Sequence, residues 1–257
     1  MTAAVHVLEY NARVYRRIWR GTLFGTILSP ILFLASMGLG LGAFVDQGAG
    51  AAALGGVSYA MFLAPGLLAA QGMQTAGFEA TYPVMGRIVW DKTYHGMLAT
   101  PITVAGIVFG QLGWFVVRLF IVTGIFFLVM VGFGLVSSPL GVLAVPAAVL
   151  TGLSFAAPIM AFTATQRNDT GFNAIFRFLI IPLFIFSGTF FPIDRLPPAM
   201  QVIARLTPTW HGVTLARGFT LGTIDAAAVV IHGAVLVGFI AIGTAAALLT
   251  FRRALVK

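Results

Sequence analysis

Two of the ionisable side chains within long apolar runs are the first residues from which to ask for chemistry. Arg118 lies inside the run 105–134 and Glu79 closes the run 57–79. A charge placed at membrane depth is costly, so it marks a substrate or ion contact or a structural pair. Arg118 reads either as a polar contact for an anionic or glycosylated headgroup or as a snorkelling or paired structural cation. Glu79, the only acidic residue nearby in the apolar runs, reads first as a group that meets the cytoplasmic interface. The four histidines (His6, His95, His211, His232) are scattered, with no HExxH and no paired ligand spacing, which predicts no metal site. No G-x-x-x-x-G-K-[ST] occurs, so the chain lacks the usual cradle for ATP phosphates. No G-x-S-x-G and no acid/base carboxylate pair occurs either, which argues against an enzyme. Cysteine is absent, excluding disulfides and thiolate metal sites.

The elements that must position these groups are membrane helices. Of 257 residues, 59% are hydrophobic and 9% charged, against about a quarter charged in a soluble domain. Mean hydropathy is +1.00. The formal charge of +8, from 15 Lys and Arg against 7 Asp and Glu, fits loops facing anionic lipid; no aromatic-interleaved basic stretch points to nucleic acid. Six apolar runs, near 21–45, 57–79, 105–134, 140–165, 172–191 and 226–250, each approach the ~20 residues that cross a bilayer. Gly38 with Gly42 and Gly106 with Gly110 have the GxxxG spacing of close helix contacts.

Residues 1–20 carry Glu9, Arg13, Arg16, Arg17 and Arg20 within an arc of roughly 100° at helical spacing. Leu8, Ala12, Val14, Tyr15, Ile18 and Trp19 fall on the other side, with Asn11 the one misfit. That pattern predicts an amphipathic interfacial helix and not a cleavable signal. Lysine and arginine collect at the N-terminus, Arg87, Lys92, Arg167 and the C-terminus, so both termini are expected in the cytoplasm. Arg195, Arg205 and Arg217 fall outside. The internal connection Tyr82–Thr103 is amphipathic and long enough for a short surface helix. The external one, 192–225, carries Leu196, Met200, Ile203 and Leu206 at helical spacing between prolines, as a re-entrant segment does. Asp194 and Arg195 are expected to cap the start of its helix.

The stretch SGTFFPIDRLPPAMQVIARLTPTWHGVTLARG (Ser187 to Gly218) resembles the signature region of ABC-2-type transporter permeases, with its small-residue, aromatic, Phe191-Pro192 step, then Leu196-Pro197, then Pro208. WDKTYHGMLATPIT (Trp90 to Thr103) resembles the cytoplasmic loop of the same family, in the branch of the nodulation lipo-oligosaccharide exporter and the daunorubicin-resistance permease. Thr207-Pro208-Thr209-Trp210 departs from a more aliphatic step in many relatives. The resemblance covers essentially the whole chain. It implies one all-α membrane domain, 1–257: an interfacial helix (1–20, with Arg13, Arg16, Arg17, Trp19 and Arg20), a six-span bundle (21–250) and a cytoplasmic tail (251–257). It also implies a homodimer of permeases above two ATPase subunits. Arg87, Asp91, Lys92, Tyr94 and His95 would couple to the ATPase, and external re-entrant helices would close the exit. ATP and Mg would be held by the partner, with no cofactor in this chain.

The function expected is export of a hydrophobic or amphipathic substrate, with Arg118 and Glu79 as the candidate translocation pathway. A sugar-polymer or ion pathway needs more polar lining than 23 phenylalanines and few fixed charges provide. A gradient-driven carrier is the alternative, but no half-to-half repeat and no mid-span Asp supports it. A non-transporting membrane scaffold is the third reading.

Overall fold

The computed structural model describes residues 2–47, 54 and 56–256, and no strand occurs among them. Helix α1 runs from Thr2 to Phe33 and continues through a π-helical stretch, Leu34–Leu41, into Gly42–Asp46. Helix α2 spans Tyr59–Ala80 and α3 Tyr82–Met85, followed by a π turn at Gly86–Trp90; α4 spans Thr93–Leu98. Helix α5 spans Val104–Gly132, and α6 spans Ala144–Thr163 behind a 3₁₀ turn at Pro139–Leu143. Helix α7 is Thr170–Ile175, a π stretch Phe176–Ile180 and Ile181–Phe186. Then come α8 (Pro198–Leu206), α9 (Pro208–Leu221) and α10 (Ala226–Leu255).

Short polar side chains start the long helices by satisfying the first free N–H groups. Ser58 Oγ accepts from Met61 N, Thr103 Oγ1 from Gly106 N, and Asp225 Oδ1 from Ala228 N at 2.7 Å. Pro208 opens α9, where a missing N–H costs nothing, and Gly222 at φ +72° ends it.

Among the described residues, four apolar stretches are long enough to cross a membrane: Phe24–Asp46, Val104–Gly132, Pro139–Thr163 and Ala226–Leu255. The expected second span, α2, has sufficient length, but Gln71, Gln74, Thr75 and Glu79 make it less apolar. Sixteen of its 22 residues are buried, so protein rather than lipid surrounds it. The expected fifth span, Thr170–Phe186, is about 25 Å long at 1.5 Å per residue, short of the ~30 Å hydrocarbon core. Helix α6 is central and packs on both α2 and α10; α9 lies against α2 and α6.

Three boundaries differ from the expectation. No break separates an interfacial helix 1–20 from a first span, because isolated glycines such as Gly21 and Gly25 cost a helix only about 1 kcal/mol each. The end at 191 falls back to Phe186, where the chain turns and Gly188 takes φ +84°. The tail 251–257 is not a separate segment: α10 stays helical to Leu255, with Arg252 and Arg253 favourably placed in its last turn and Phe251 buried. Lys257 and most of the loop near 46–56 lie outside the described residues.

The 45-residue helix α1 is about 67 Å long and α5 about 43 Å, so both exceed one bilayer crossing. Their excess lengths pack together. A Cβ at Gly110 of α5 would lie 2.6 Å from the Ala4 carbonyl oxygen, and one at Gly106 would lie 2.8 Å from the Ala3 Cβ. The Gly106/Gly110 spacing is therefore a notch that seats α1. A Cβ at Gly38 would lie 3.3 Å from the Ala60 Cβ, a close contact between α1 and α2, while at Gly42 nothing comes nearer than 3.9 Å, so of the pair Gly38/Gly42 only Gly38 makes a close approach.

Candidate functional site

Between α1, α2 and α5 a polar cleft of about 250 Å³ opens in the side of the bundle, and both expected pathway residues line it. Arg118 Nε donates to Glu79 Oε1 at 2.9 Å, joining the middle of α5 to the last turn of α2. Both side chains are largely buried, 9% and 16% exposed. The guanidinium lies 4.7 Å from the Tyr15 ring, and Tyr15 meets Trp114 edge-on at 5.6 Å. Glu79 thus does more than meet the interface: it neutralises a cation that hydrocarbon would exclude. Arg118 Nη1 is buried with no partner among the described residues. Thr26, Gln71, Gln74 and Thr75 complete the polar lining, and Gln71 and Gln74 also line a smaller adjoining cavity of about 160 Å³. On α2, Gln71, Thr75 and Glu79 recur every four residues with Gln74 beside them, which makes a polar stripe on an otherwise apolar helix.

A second polar centre lies where α3 and α4 meet α5. Gln111 Oε1 accepts from Arg87 Nη1 at 2.5 Å, from the Tyr94 hydroxyl at 2.9 Å and from Asn11 Nδ2 at 3.3 Å. Asn11, the misfit of the amphipathic pattern, is the residue that α1 buries against α5. Tyr94 is fully buried beside Phe251, and burial pushes its phenol pKa up, against the opposing pull of Arg87. Of the five residues expected to couple, Arg87 and Tyr94 point inward and hold the loop to the bundle. Asp91, Lys92 and His95 are exposed. Lys92 sits in the left-handed region at φ +51°, where the chain turns between the π segment and α4. Lys92 and His95 share a basic cleft of about 490 Å³ with Arg167 and Arg253, from the loop after α6 and the end of α10.

Along α1, Arg13, Arg16, Arg17 and Arg20 are exposed, and Trp19 is 41% exposed with Arg20 over its ring at 5.6 Å. At the opposite end of the bundle, Phe191 and Pro192 lead into a 3₁₀ turn Ile193–Arg195; Leu196 and Pro197 follow, and Pro208 starts α9. The expected cap by Asp194 and Arg195 is not formed. The N-cap of α8 is Pro197, three residues past Asp194, and the Asp194 carboxylate instead takes Arg205 Nη2 at 3.2 Å.

Two features escaped the sequence reading. His211 and His232 meet Nδ1 to Nδ1 at 2.7 Å, and His211 Nε2 lies 2.9 Å from the Arg205 carbonyl oxygen. One neutral tautomer pattern satisfies both contacts: His211 donates from Nε2 and accepts at Nδ1 from His232. Arg217 lies 3.7 Å over the Phe62 ring, its Nε donating to the Phe62 carbonyl and its Nη2 to the Gly188 carbonyl. Neither pairing has a local spacing signal, since the partners are 21 or more positions apart.

Residues 4–221 match the family model described as ABC-2 type transporter. The chain is 32% identical over 225 residues to nodulation protein J of Rhizobium leguminosarum bv. trifolii, covering 85% of this chain and 81% of that protein. Identity to nodulation protein J of Rhizobium meliloti (strain 1021) is 29% over 226 residues, 85% of this chain and 81% of the relative. Against that of Bradyrhizobium diazoefficiens it is 29% over 253 residues, 98% and 93% of the two chains.

Proposed function

Taking as premise that this chain belongs to the ABC-2 type transporter family, as the membrane subunit of an ABC transporter, we propose that it exports a hydrophobic or amphipathic molecule. Hydrolysis of ATP with Mg by a separate ATPase drives the export. The observation that carries this reading is the Arg118–Glu79 cleft: a polar stripe, open sideways, on a helix that is otherwise apolar. An amphiphile needs both surfaces at once, a polar track for its head and an apolar flank for its tail. Two copies of the chain, facing each other across their clefts, enclose one route above two ATPase subunits.

In this arrangement the six apolar segments cross the inner membrane with both termini inside. The buried α2 is the second crossing, shielded from lipid by its neighbours, and the short α7, which leaves Phe178, Leu179 and Ile181 exposed, is the fifth. Helices α8 and α9 enter from outside and return. Asp91, Lys92 and His95 meet the ATPase, while Arg87 and Tyr94, locked to Gln111, pass its movement to α5 and α1. The exposed arginines of α1 hold the complex to anionic lipid.

The test begins with gentle purification of the tagged chain and identification of what accompanies it. A stoichiometric P-loop ATPase and ATP-dependent movement of a labelled amphiphile in proteoliposomes support the reading. A chain that arrives alone and moves solute down an ion gradient without ATP overturns it.

A further inference from the structure

A pocket of about 470 Å³ lies at the end of the bundle away from Arg252 and Arg253, between the start of α2, the turn after α7, and helices α8 and α9. Its volume falls in the ~300–1,000 Å³ range of small-molecule sites. Phe62, Pro192, Ile193 and Trp210 form apolar walls, and three charged side chains face the space: Asp194, Arg205 and Arg217. Asp194 and Arg205 neutralise each other at 3.2 Å. Arg217 does not share that pair, so the pocket carries one net positive charge.

That charge has no carboxylate partner among the described residues, and every acidic residue of the chain is accounted for. Glu9 lies beside Arg13, Glu79 binds Arg118, Asp46 accepts from the Tyr59 N–H, and Asp225 caps α10. Asp91 and Asp169 adjoin the other end of the bundle. What holds Arg217 is backbone: Nε to the Phe62 carbonyl at 3.0 Å and Nη2 to the Gly188 carbonyl at 2.8 Å, with the Phe62 ring against one face. Those contacts fix the guanidinium without cancelling its charge, and Nη1 has no acceptor among the described residues. A partly desolvated cation held rigid and left uncompensated is an oxyanion receptor waiting for its second half, and a guanidinium fork suits phosphate and carboxylate geometry.

The surface beside the pocket says what bears the anion. On α8, Val202, Ile203 and Leu206 are 60%, 62% and 70% exposed, an apolar face that only a bilayer or another apolar surface would cover. Arg205 of the same nine-residue helix lines the pocket, so the charged pocket and the apolar face adjoin, as the head and tail of one amphiphile require. We propose that this pocket binds the oxyanion head of an amphiphile, a phosphate-type group on Arg217 with the adjoining apolar part against Trp210 and Phe62. The assignment of this end to the outer face rests on the exporter reading; the binding itself does not.

The test uses the full chain in mild detergent, with Trp19, Trp90 and Trp114 replaced by Phe so that Trp210 alone reports. Short-chain phosphatidylglycerol, phosphatidylcholine of equal chain length and inorganic phosphate are titrated separately. A saturable Trp210 signal with phosphatidylglycerol, about tenfold or more tighter than with phosphatidylcholine, is expected, as one charge-assisted contact supports. Arg217→Gln should abolish the preference, and Arg217→Lys, which keeps charge but loses the fork, should retain part of it. Binding of inorganic phosphate in competition identifies a free anion as sufficient; binding of the lipid alone identifies a headgroup that needs its apolar part. Equal affinity for the two lipids with no phosphate binding overturns the proposal, as does a preference that survives in Arg217→Gln. Should Arg217→Gln fail to fold, an unchanged preference in Arg217→Lys together with one in Gly66→Ala, whose added methyl would lie 3.1 Å from Arg217 Nη2, overturns it instead. The lipid titration needs no ATPase, so failed ATP-dependent transport in proteoliposomes with an intact lipid preference counts against the exporter reading alone.

Discussion

Replacing Glu79 by Gln isolates the buried ion pair, and its cost follows from the geometry. The carboxylate accepts from Arg118 Nε at 2.9 Å, with the side chains 9% and 16% exposed. At an effective dielectric near 20, unit charges about 4 Å apart attract by about 4 kcal/mol. Removing one partner of a buried pair costs about 3–5 kcal/mol, because the other charge stays behind uncompensated. Two features lower the value here. The Tyr15 ring 4.7 Å from the guanidinium retains about 1 kcal/mol of cation–π attraction, and the adjoining cleft admits water. The expected loss for Glu79→Gln is therefore about 3 kcal/mol, and for Arg118→Gln about the same. The double variant should lose less than the sum, with a coupling of about 2 kcal/mol. Equilibrium unfolding in mixed micelles of mild detergent and dodecyl sulfate measures all four corners of the cycle. Single costs below about 1 kcal/mol that add without coupling would refute the claim that this pair joins α2 to α5.

Gly110→Val places branched carbons against the Ala4 carbonyl and Val7 and should detach α1 from α5, costing about 1–3 kcal/mol by the same assay. Gln111→Leu leaves the Arg87 and Tyr94 donors without their common acceptor; stimulation of a co-expressed ATPase should fall severalfold while the complex still assembles. Charge reversal at Lys92 and Arg253 together should weaken retention of that ATPase on an affinity column, whereas reversal at Arg16 and Arg17 should weaken binding to anionic liposomes. Tyr94 keeps its proton beyond the pH near 10 at which exposed phenols ionise. Its folded pKa is raised, so the associated stability is full below the ordinary tyrosine value and is lost as pH climbs through the raised one. An ultraviolet titration should show a late-ionising phenol that is missing in Tyr94→Phe.

The helical architecture was legible because long apolar runs and their polar boundaries are local signals. The expected segments near 105–134 and 226–250 reappear as Val104–Gly132 and Ala226–Leu255. Pairings across the bundle were not legible. Glu79 and Arg118 are 39 positions apart, and hydropathy says only that each is out of place. Asn11 shows how such a misplacement can be read: a single polar residue on an apolar helical face proved to be the contact with Gln111, 100 positions away. Gln71 and Gln74 carried the same signal in the second run. The inward turn of Tyr94 was hidden because an amphipathic loop looks alike whichever face it lays on the bundle.

Among the described residues, three helical paths, one of them short, contain π segments, at Leu34–Leu41, Gly86–Trp90 and Phe176–Ile180. A π turn holds one more residue than an α turn over the same hydrogen-bonded step. Returning it to α geometry displaces one residue along the axis and rotates everything beyond it by about 100°, without breaking the rod. Each segment is thus a gear with a fixed tooth spacing between what lies on its two sides. On α1 it divides the half gripped by α5 from the outer end that approaches Tyr59; after α3 it divides α2 from Lys92 and His95. Rotation at one end of such a rod need not be matched at the other, and a polar stripe can be turned toward or away from its neighbour while the far end keeps its own contacts.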